Sequence, residues 1–389
     1  MADNKQNKRP NVPPLRFPEF TEQWERFKVS DMLDFYSTNS LSWEQLEFTD
    51  GELRNLHYGM IHVGLPTLLN LKESKLPTIK EGNEPKSYTL CVNGDVAFAD
   101  ASEDTNDVAK AIELVETDGQ KVVFGLHTIH GRDNKGLTEA GFKGYLFSSK
   151  VFHDQIKRIA QGTKVFSISS KNFSECFVGL PSKAEQSKIA RLLSLLDRRI
   201  TVQSKLIEQL ESLIKGIIHH LTAESPNVRI ADCLDCHSST LQENQLKELG
   251  KCRVYGANGV CGYTDSPAIN GNAILIVKDG SGIGNVSFAT GEYSVIGTSN
   301  YLTAKSGYNL RYIYYCLMNF NFAPYKTGMA IPHIYFKDYG KAKIYCPALE
   351  EQERIAKILS NIERKIAIER SITDHFNEQK QYLLQRLFI

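Results

Sequence analysis

At 389 residues the chain has room for two or three globular domains, each able to bury its own core. A hydrophobic content of 41% with 23% charged residues excludes a disordered or membrane-embedded chain. Net charge is only +1, from 46 basic and 45 acidic side chains, which excludes attraction to polyanions by global basicity and leaves only local patches for that role.

Residues 1–13 are polar and read as a disordered tail. The start, MADNKQNKRPNVPP, lacks the apolar stretch of a signal peptide, and no apolar run approaches the roughly 18 residues of a membrane span. A cytoplasmic chain is expected, with its eight cysteines as reduced thiols. Residues 14–180 form a first globular region of mixed α/β type, with strands at Gly94–Ala99 and Lys121–Gly125 between turn residues. A long helix is expected over 181–222. It starts just after a proline and has Glu185 in its first turn, where the helix dipole favours negative charge. Its apolar residues Ile189, Leu193, Leu196, Ile200, Ile207, Leu210, Ile214, Ile217 and Leu221 step by three and four with one skip at Gln203, a heptad seam.

The segment Ser225-Pro226-Asn227 breaks the chain before a second globular region at 223–346. A strand at Ala273–Val277 and a helix at Tyr312–Met318 are predicted within it. A second long helix follows over 347–389. Its seam runs through Ile355, Leu359, Ile362, Ile366, Phe376, Leu383 and Leu387, with polar interruptions at Glu369, Thr373 and Lys380.

The two halves repeat one another. PSKAEQSKIARLLSLLDRRI from Pro181 and PALEEQERIAKILSNIERKI from Pro347 share nine of twenty positions at an offset of 166 residues. The same offset, without a gap, places Gly162 on Gly328, Ile168 on Ile334 and Lys171 on Lys337. Two matched helices point to an antiparallel coiled coil, and such pairing of a head-to-tail duplication relates its globular domains by a pseudo-two-fold axis. The strands of duplex DNA are related by two-folds as well.

Motifs for catalysis are missing or incomplete. No Gly-x-x-x-x-Gly-Lys-Ser/Thr phosphate loop is present. Asn11-Val12-Pro13-Pro14 lacks the aromatic residue of the loop with which amino-methyltransferases hold a flipped base. Glu73-Ser74-Lys75 has a nuclease-like form without its Pro-Asp partner. Cys233-Leu234-Asp235-Cys236-His237 matches a haem-attachment pattern, but no second ligand pair supports zinc, and buried thiols are expected. His127 and His130 fall on opposite faces of an extended segment, which favours loop or core histidines over a metal site. Gly280-Ser281-Gly282-Ile283-Gly284 is either a glycine hairpin or a tight loop that brings Lys278 against phosphate or a base edge.

The duplicated plan resembles the specificity subunits of Type I restriction–modification enzymes. Several strings carry the likeness: Leu15-Arg16-Phe17-Pro18-Glu19-Phe20, Gly94-Asp95-Val96-Ala97-Phe98, Val254-Tyr255-Gly256-Ala257-Asn258-Gly259-Val260, the run Ile274–Val286, and the proline-led helices with Glu185-Gln186 and Glu351-Gln352. The resemblance implies an α+β fold: two mixed α/β target-recognition domains in tandem duplication, 14–180 and 223–346, joined by long antiparallel spacer helices, 181–222 and 347–389. It implies a non-catalytic subunit in which each domain reads half of a bipartite site on double-stranded DNA. The helices would set the gap and recruit two modification (methyltransferase) subunits, and restriction (nuclease–translocase) subunits would join them. S-adenosylmethionine, ATP and Mg belong on those partners, with no cofactor or metal on this chain. For DNA contact the expected residues are Lys164, Ser169, Ser170 and Lys171 in the first half, and Tyr255, Asn258, Lys278, Ser281, Lys326, His333, Tyr335 and Lys337 in the second. For helix pairing they are Ile189, Leu193, Leu196, Ile200, Ile207, Leu210, Ile355, Leu359, Ile362 and Ile366. A stand-alone duplicated α/β enzyme, or a structural adaptor with a coiled-coil dimeriser, is the alternative.

Overall fold

The computed structural model describes residues 11–280, 282–328 and 332–389, and Ser281, read above as a DNA contact, lies outside them. The chain divides into two units, Met1–Val202 with Ile372–Ile389, and Gln203–Ser371. Of the tail expected over 1–13, residues 1–10 lie outside the described residues, whereas Asn11–Pro13 is held in place. The Asn11 carbonyl accepts from the Trp24 N–H at 2.8 Å, and Pro13 is buried.

In the first unit, Glu25–Lys28 pairs antiparallel with Phe177–Leu180, which brings the start and end of the globular part together. Five strands form the main sheet in the order Asp34–Tyr36, Thr128–Arg132, Val96–Ala99, Ala111–Glu116, Leu68–Asn70. The central Val96–Ala99 is buried at all four positions, as its unbroken apolar run requires. A second sheet contains Lys121–Phe124 beside Leu53–Leu56 in parallel. Trp24, Phe98, Phe142, Phe147, Phe152 and Phe173 fill the core.

The second unit uses the same plan with fewer residues. Val228–Arg229 pairs antiparallel with Lys343–Ile344 as the clamp. The main sheet runs Leu234–Ser238, Ser299–Ala304, Ala273–Val277, Val286–Ala289. In the second sheet Cys252–Gly256 lies parallel to Glu292–Val295. A capped 3-10 turn recurs as well, Trp43–Gln45 in one unit and Glu243–Gln245 in the other, each closed by a reciprocal Gln45 or Gln245 side chain. The helix read at Tyr312–Met318 extends over Leu310–Met318.

The long helices span Lys183–Ala223 and Leu349–Arg386, and each unit holds part of both, packed antiparallel. In the first unit Ile189 and Leu193 are buried in one cluster with Leu383, Leu384 and Leu387. Lys380 pairs with Asp197 at 2.6 Å, and Arg199 lies over the Phe376 ring. In the second unit Ile214, Ile218, Ile355, Leu359 and Ile366 are buried together, with Ile207, Leu210 and Ile362 packed on them. Leu196 packs on the first cluster and Ile200 is half-buried. The seam departs from its reading at one step: Ile218 is buried, whereas Ile217 is only partly so. The polar interruptions at Lys380 and Glu369 are met by polar side chains of the other helix. Lys380 meets Asp197, and Glu369 accepts from Gln203.

Helix docking is duplicated too. Gln186 accepts from the Glu139 N–H at 2.9 Å and donates to Leu137 and Pro181 carbonyls; Gln352 accepts from the Asn309 N–H at 2.9 Å and donates to the Pro347 carbonyl. Tyr145 donates to Asp197 at 2.8 Å, and Tyr315 to Glu363 at 2.7 Å. Burial pushes both phenols up, Tyr315 to about 12, so they serve as donors. Glu185 does more than complement the dipole: it is buried and takes a two-pronged contact from Arg16 at 2.8 and 2.7 Å.

Candidate nucleic-acid interface

In the second unit, residues 326–328 and 332–337 lie against one another and against the turn that follows the buried strand Ala273–Val277. Thr327 and His333 exchange backbone hydrogen bonds at 2.8 and 2.7 Å. The Ile334 N–H donates to the Lys278 carbonyl at 3.0 Å, and burial of Ile334 fixes the stretch in place. His333 Nδ1 lies 2.6 Å from Asp279 Oδ1. Its ring stacks beside Tyr335, with centroids 6.3 Å apart, and Lys337 Nζ lies 5.2 Å over the Tyr335 ring. Lys278, His333, Tyr335 and Lys337 thus make one connected surface, with exposed Lys326 on the same stretch. It is the basic and aromatic mixture that suits phosphate and base contact.

The remaining second-unit residues are placed differently. Exposed Asn258 occupies the hairpin turn between Cys252–Gly256 and Gly259–Thr264. A Cβ on Gly282 would lie 3.3 Å from Ala257 Cβ, so this turn borders the glycine loop. Tyr255 is half-buried, edge-on to buried Tyr293 at 5.6 Å; packing accounts for its aromatic ring. The glycine loop itself joins the antiparallel strands Ala273–Val277 and Val286–Ala289, the hairpin alternative, with Gly280 and Gly284 at φ of 92° and 86°.

The first unit builds the same corner. Gln161 and Ser167 exchange backbone bonds at 2.9 and 2.8 Å, and the Ile168 N–H donates to the Asp100 carbonyl at 2.9 Å. Gly162, at φ 136°, cannot carry a side chain, because a Cβ would fall 1.9 Å from the Val165 carbonyl oxygen. Lys164 is exposed on this turn, and Ser170 and Lys171 are exposed on the short helix Ser170–Ser174. Ser169 caps that helix by accepting from the Asn172 N–H at 3.2 Å, a structural task for a residue read as a DNA contact.

Sequence reasoning missed the aromatic and imidazole surface beside this corner. Trp43, 45% exposed, lies 4.5 Å from the His57 ring; His57 adjoins Tyr58 at 4.7 Å, and Tyr58 meets His127 edge-on at 5.1 Å. His127 Nδ1 lies 3.0 Å from Asp100 Oδ1, and its φ of 53° is left-handed, a conformation that strains a non-glycine residue. The Asp100 N–H donates to the His127 carbonyl at 3.0 Å, and in the second unit the Lys278 N–H donates to the Thr298 carbonyl at 2.9 Å. Asp100 therefore corresponds to Lys278, and His127 to Thr298. The recurrence of the 3-10 turn 200 residues on could have pointed to this surface.

His130 belongs to the core. It is buried, 2.8 Å from Asp95, whose two oxygens also take Arg132 Nε and Nη2 at 2.7 Å. Burial works to raise the Asp95 carboxyl, but hydrogen bonds from Arg132, His130 and the Val92 N–H outweigh it and hold it low. Cys91 completes a group whose ligand atoms lie within 4.8 Å of one another. Burial, then the Asp95 charge, pushes the Cys91 thiol far up, and the guanidinium already occupies the carboxylate, so the group suits a structural ion-pair network better than a cation. Cys233 is buried, while Cys236 and His237 lie on the adjoining strand, where His237 pairs with Thr303 and stacks on Tyr301. Among the described residues no helix is long and apolar enough to cross a membrane.

The family model for the Type I restriction modification DNA specificity domain matches residues 118–212 and 226–377, more than half of the chain. The chain belongs to this family. Its two matched regions fall one in each half of the repeat, as a tandem pair of specificity domains does. The Type I restriction enzyme MjaVIII specificity subunit of Methanocaldococcus jannaschii is 30% identical over 124 residues, 31% of this chain and 29% of that protein. The EcoprrI specificity subunit of Escherichia coli is 26% identical over 109 residues, 28% of this chain and 27% of the relative. Each alignment spans less than a third of the relative's length. In fold, the chain is similar to the S subunit of a Type-I restriction-modification system from M. genitalium, with a TM-score of 0.66, 16% identity, and coverage of 97% of this chain and 99% of that one. A second chain, from a structural study of the type I R-M system, superposes with a TM-score of 0.55 at 15% identity, covering 95% and 98%.

Proposed function

We propose that this specificity-domain chain is the DNA-reading subunit of a type I restriction–modification enzyme. Each unit reads one half of a bipartite, asymmetric site on double-stranded DNA. The long helices set the gap between half-sites and recruit two modification subunits, with restriction subunits added to that assembly. The chain supplies recognition and no catalysis; S-adenosylmethionine, ATP and Mg are bound by its partners.

One observation carries the reading: a single corner is built twice, with the same backbone pattern and different side chains. Lys278, His333, Tyr335 and Lys337 furnish it in one unit. Lys164, Lys171, Tyr58 and His127 furnish it in the other. A shared frame with divergent faces is what two readers of unlike half-sites need, since phosphate contacts position a protein and base contacts specify the sequence. Co-expression with a type I modification subunit, followed by sequencing of methylated adenines, tests the proposal. Methylation at a bipartite motif is expected, and methyl transfer by the isolated chain would overturn the non-catalytic role.

A further inference from the structure

Each unit carries one histidine whose Nδ1 is tied to an aspartate at this corner. His127 Nδ1 lies 3.0 Å from Asp100 Oδ1, with 48% of its side chain exposed. His333 Nδ1 lies 2.6 Å from Asp279 Oδ1, with 37% exposed. An ionised carboxylate can only accept, so Nδ1 carries the proton in both pairs. A neutral imidazole held in this way presents Nε2 as an acceptor on its outer edge. Neither Nε2 has a hydrogen-bond partner among the described residues.

The two pairs do not occupy counterpart positions. Asp100 corresponds to Lys278, His127 to Thr298, and His333 to Ser167, as the backbone bonds at each corner establish. Inheritance through the duplication therefore does not account for the coincidence. The same device has been assembled twice from different positions, once at the expense of a strained backbone at His127. From this we infer that His127 and His333 are specificity-determining residues, each accepting a hydrogen bond from an exocyclic base amine of its own half-site. Asp100 and Asp279 are positioning residues that fix the imidazole tautomer. The inference rests on the DNA-reading function proposed above.

The chemistry selects the partner. In the neutral imidazole Nε2 is an acceptor and is repelled by phosphate oxygens, whereas an imidazolium would donate to phosphate and carry no base preference. In the major groove the exposed donors are the N6 amine of adenine and the N4 amine of cytosine. Each histidine should therefore favour A or C at one position on the strand it faces. A pair that merely stapled its loops would have no base preference to lose.

Selection of bound duplexes from a randomised library, using the full chain co-expressed with a type I modification subunit, tests this. His127→Ala should flatten the preference at one position of one half-site by about five- to ten-fold and leave the other half-site intact. His333→Ala should do the reverse. Asp100→Asn and Asp279→Asn no longer enforce the tautomer and should weaken preference at the same positions, a change that a loop staple would not produce. His127→Leu and His333→Leu remove every acceptor while keeping side-chain bulk, and thermal unfolding confirms that each variant is folded. If the wild-type assembly selects a bipartite site and folded histidine variants select the same one, this inference is wrong while the DNA-reading function stands. If the wild-type assembly selects no sequence, the DNA-reading function falls and this inference with it.

Discussion

Gln203 and Glu369 stand 166 residues apart, the offset of the internal repeat, and they hydrogen-bond to each other. Each is the other's counterpart in the duplication, one in each long helix. Glu369 is buried and also pairs with Lys365. The skipped apolar positions of the two seams thus meet, and a polar contact at one point of a coiled coil penalises every other register. Gln203→Leu should destabilise the chain by about 2 kcal/mol, because it leaves a buried carboxylate short of a donor. The double change Gln203→Leu with Glu369→Leu should recover most of that loss. Chemical denaturation of the three variants measures both effects, and a double variant no more stable than the single one would show that the pair is not the cause.

Replacing residues 15–160 with the equivalent region of another specificity subunit should change one half of the recognised site. The second half should persist, because its corner is built from strands and loops of the second unit alone. Methylation mapping of the chimaera decides this, and simultaneous change of both halves would contradict independent reading.

Lys171→Ala and Lys337→Ala each remove an exposed cation at repeat-equivalent positions beside the corner. Cognate and non-cognate affinity should fall alike, and the slope of log K against log salt should shrink by about one for each. Titrations at several salt concentrations read the slope directly; an unchanged slope places that lysine off the phosphates.

The difference between these lysines and His127 shows what was legible in the sequence. Lys171 and Lys337 lie in stretches duplicated without a gap, so alignment of the chain with itself exposed them. The long helices were legible because heptad spacing is a local property, visible in Ile189, Leu193, Ile355 and Leu359. The first-unit surface was not, because Trp43, His57 with Tyr58, and His127 come from three separate segments and meet only after the sheets form. Glu185 carried a helix-start signal that concealed its second task, the clasp with Arg16 from a distant part of the chain. Tyr255 stands among the expected DNA contacts although it packs on Tyr293, because burial depends on what lies opposite, and Tyr293 is 38 positions further along.

Asp95 predicts an acid sensitivity of the first unit. Its carboxyl is held below the ordinary value of about 3.9, so the stability it contributes is complete above that value and is lost as pH falls through the folded value. Asp95→Asn should cost about 3–5 kcal/mol at neutral pH, because Arg132 and His130 lose their anionic partner in the interior. It should also flatten the stability profile below about pH 4. Thermal unfolding across pH 3–7 tests both parts, and a variant with the wild-type acid profile would assign that loss to other carboxylates.

The helices make the most direct prediction for the assembled enzyme. If their register sets the gap, a seven-residue insertion into one helix alone should disrupt pairing, since Asp197 would lose Lys380 and Gln203 would lose Glu369. Matched heptad insertions in both helices keep the seam and add roughly 10 Å at 1.5 Å per residue. Duplex DNA rises about 3.4 Å per base pair, so the preferred gap should lengthen by up to about three base pairs. An oblique path of the helices over the DNA axis would reduce the gain, and the added helical twist between half-sites must be absorbed by the DNA or the assembly. The half-sites themselves should not change, because the reading corners lie in the sheets and loops of each unit. Methylation mapping of the doubly inserted variant gives the gap at single-base resolution. Activity at the original gap would show that spacing is set elsewhere than in this helix pair.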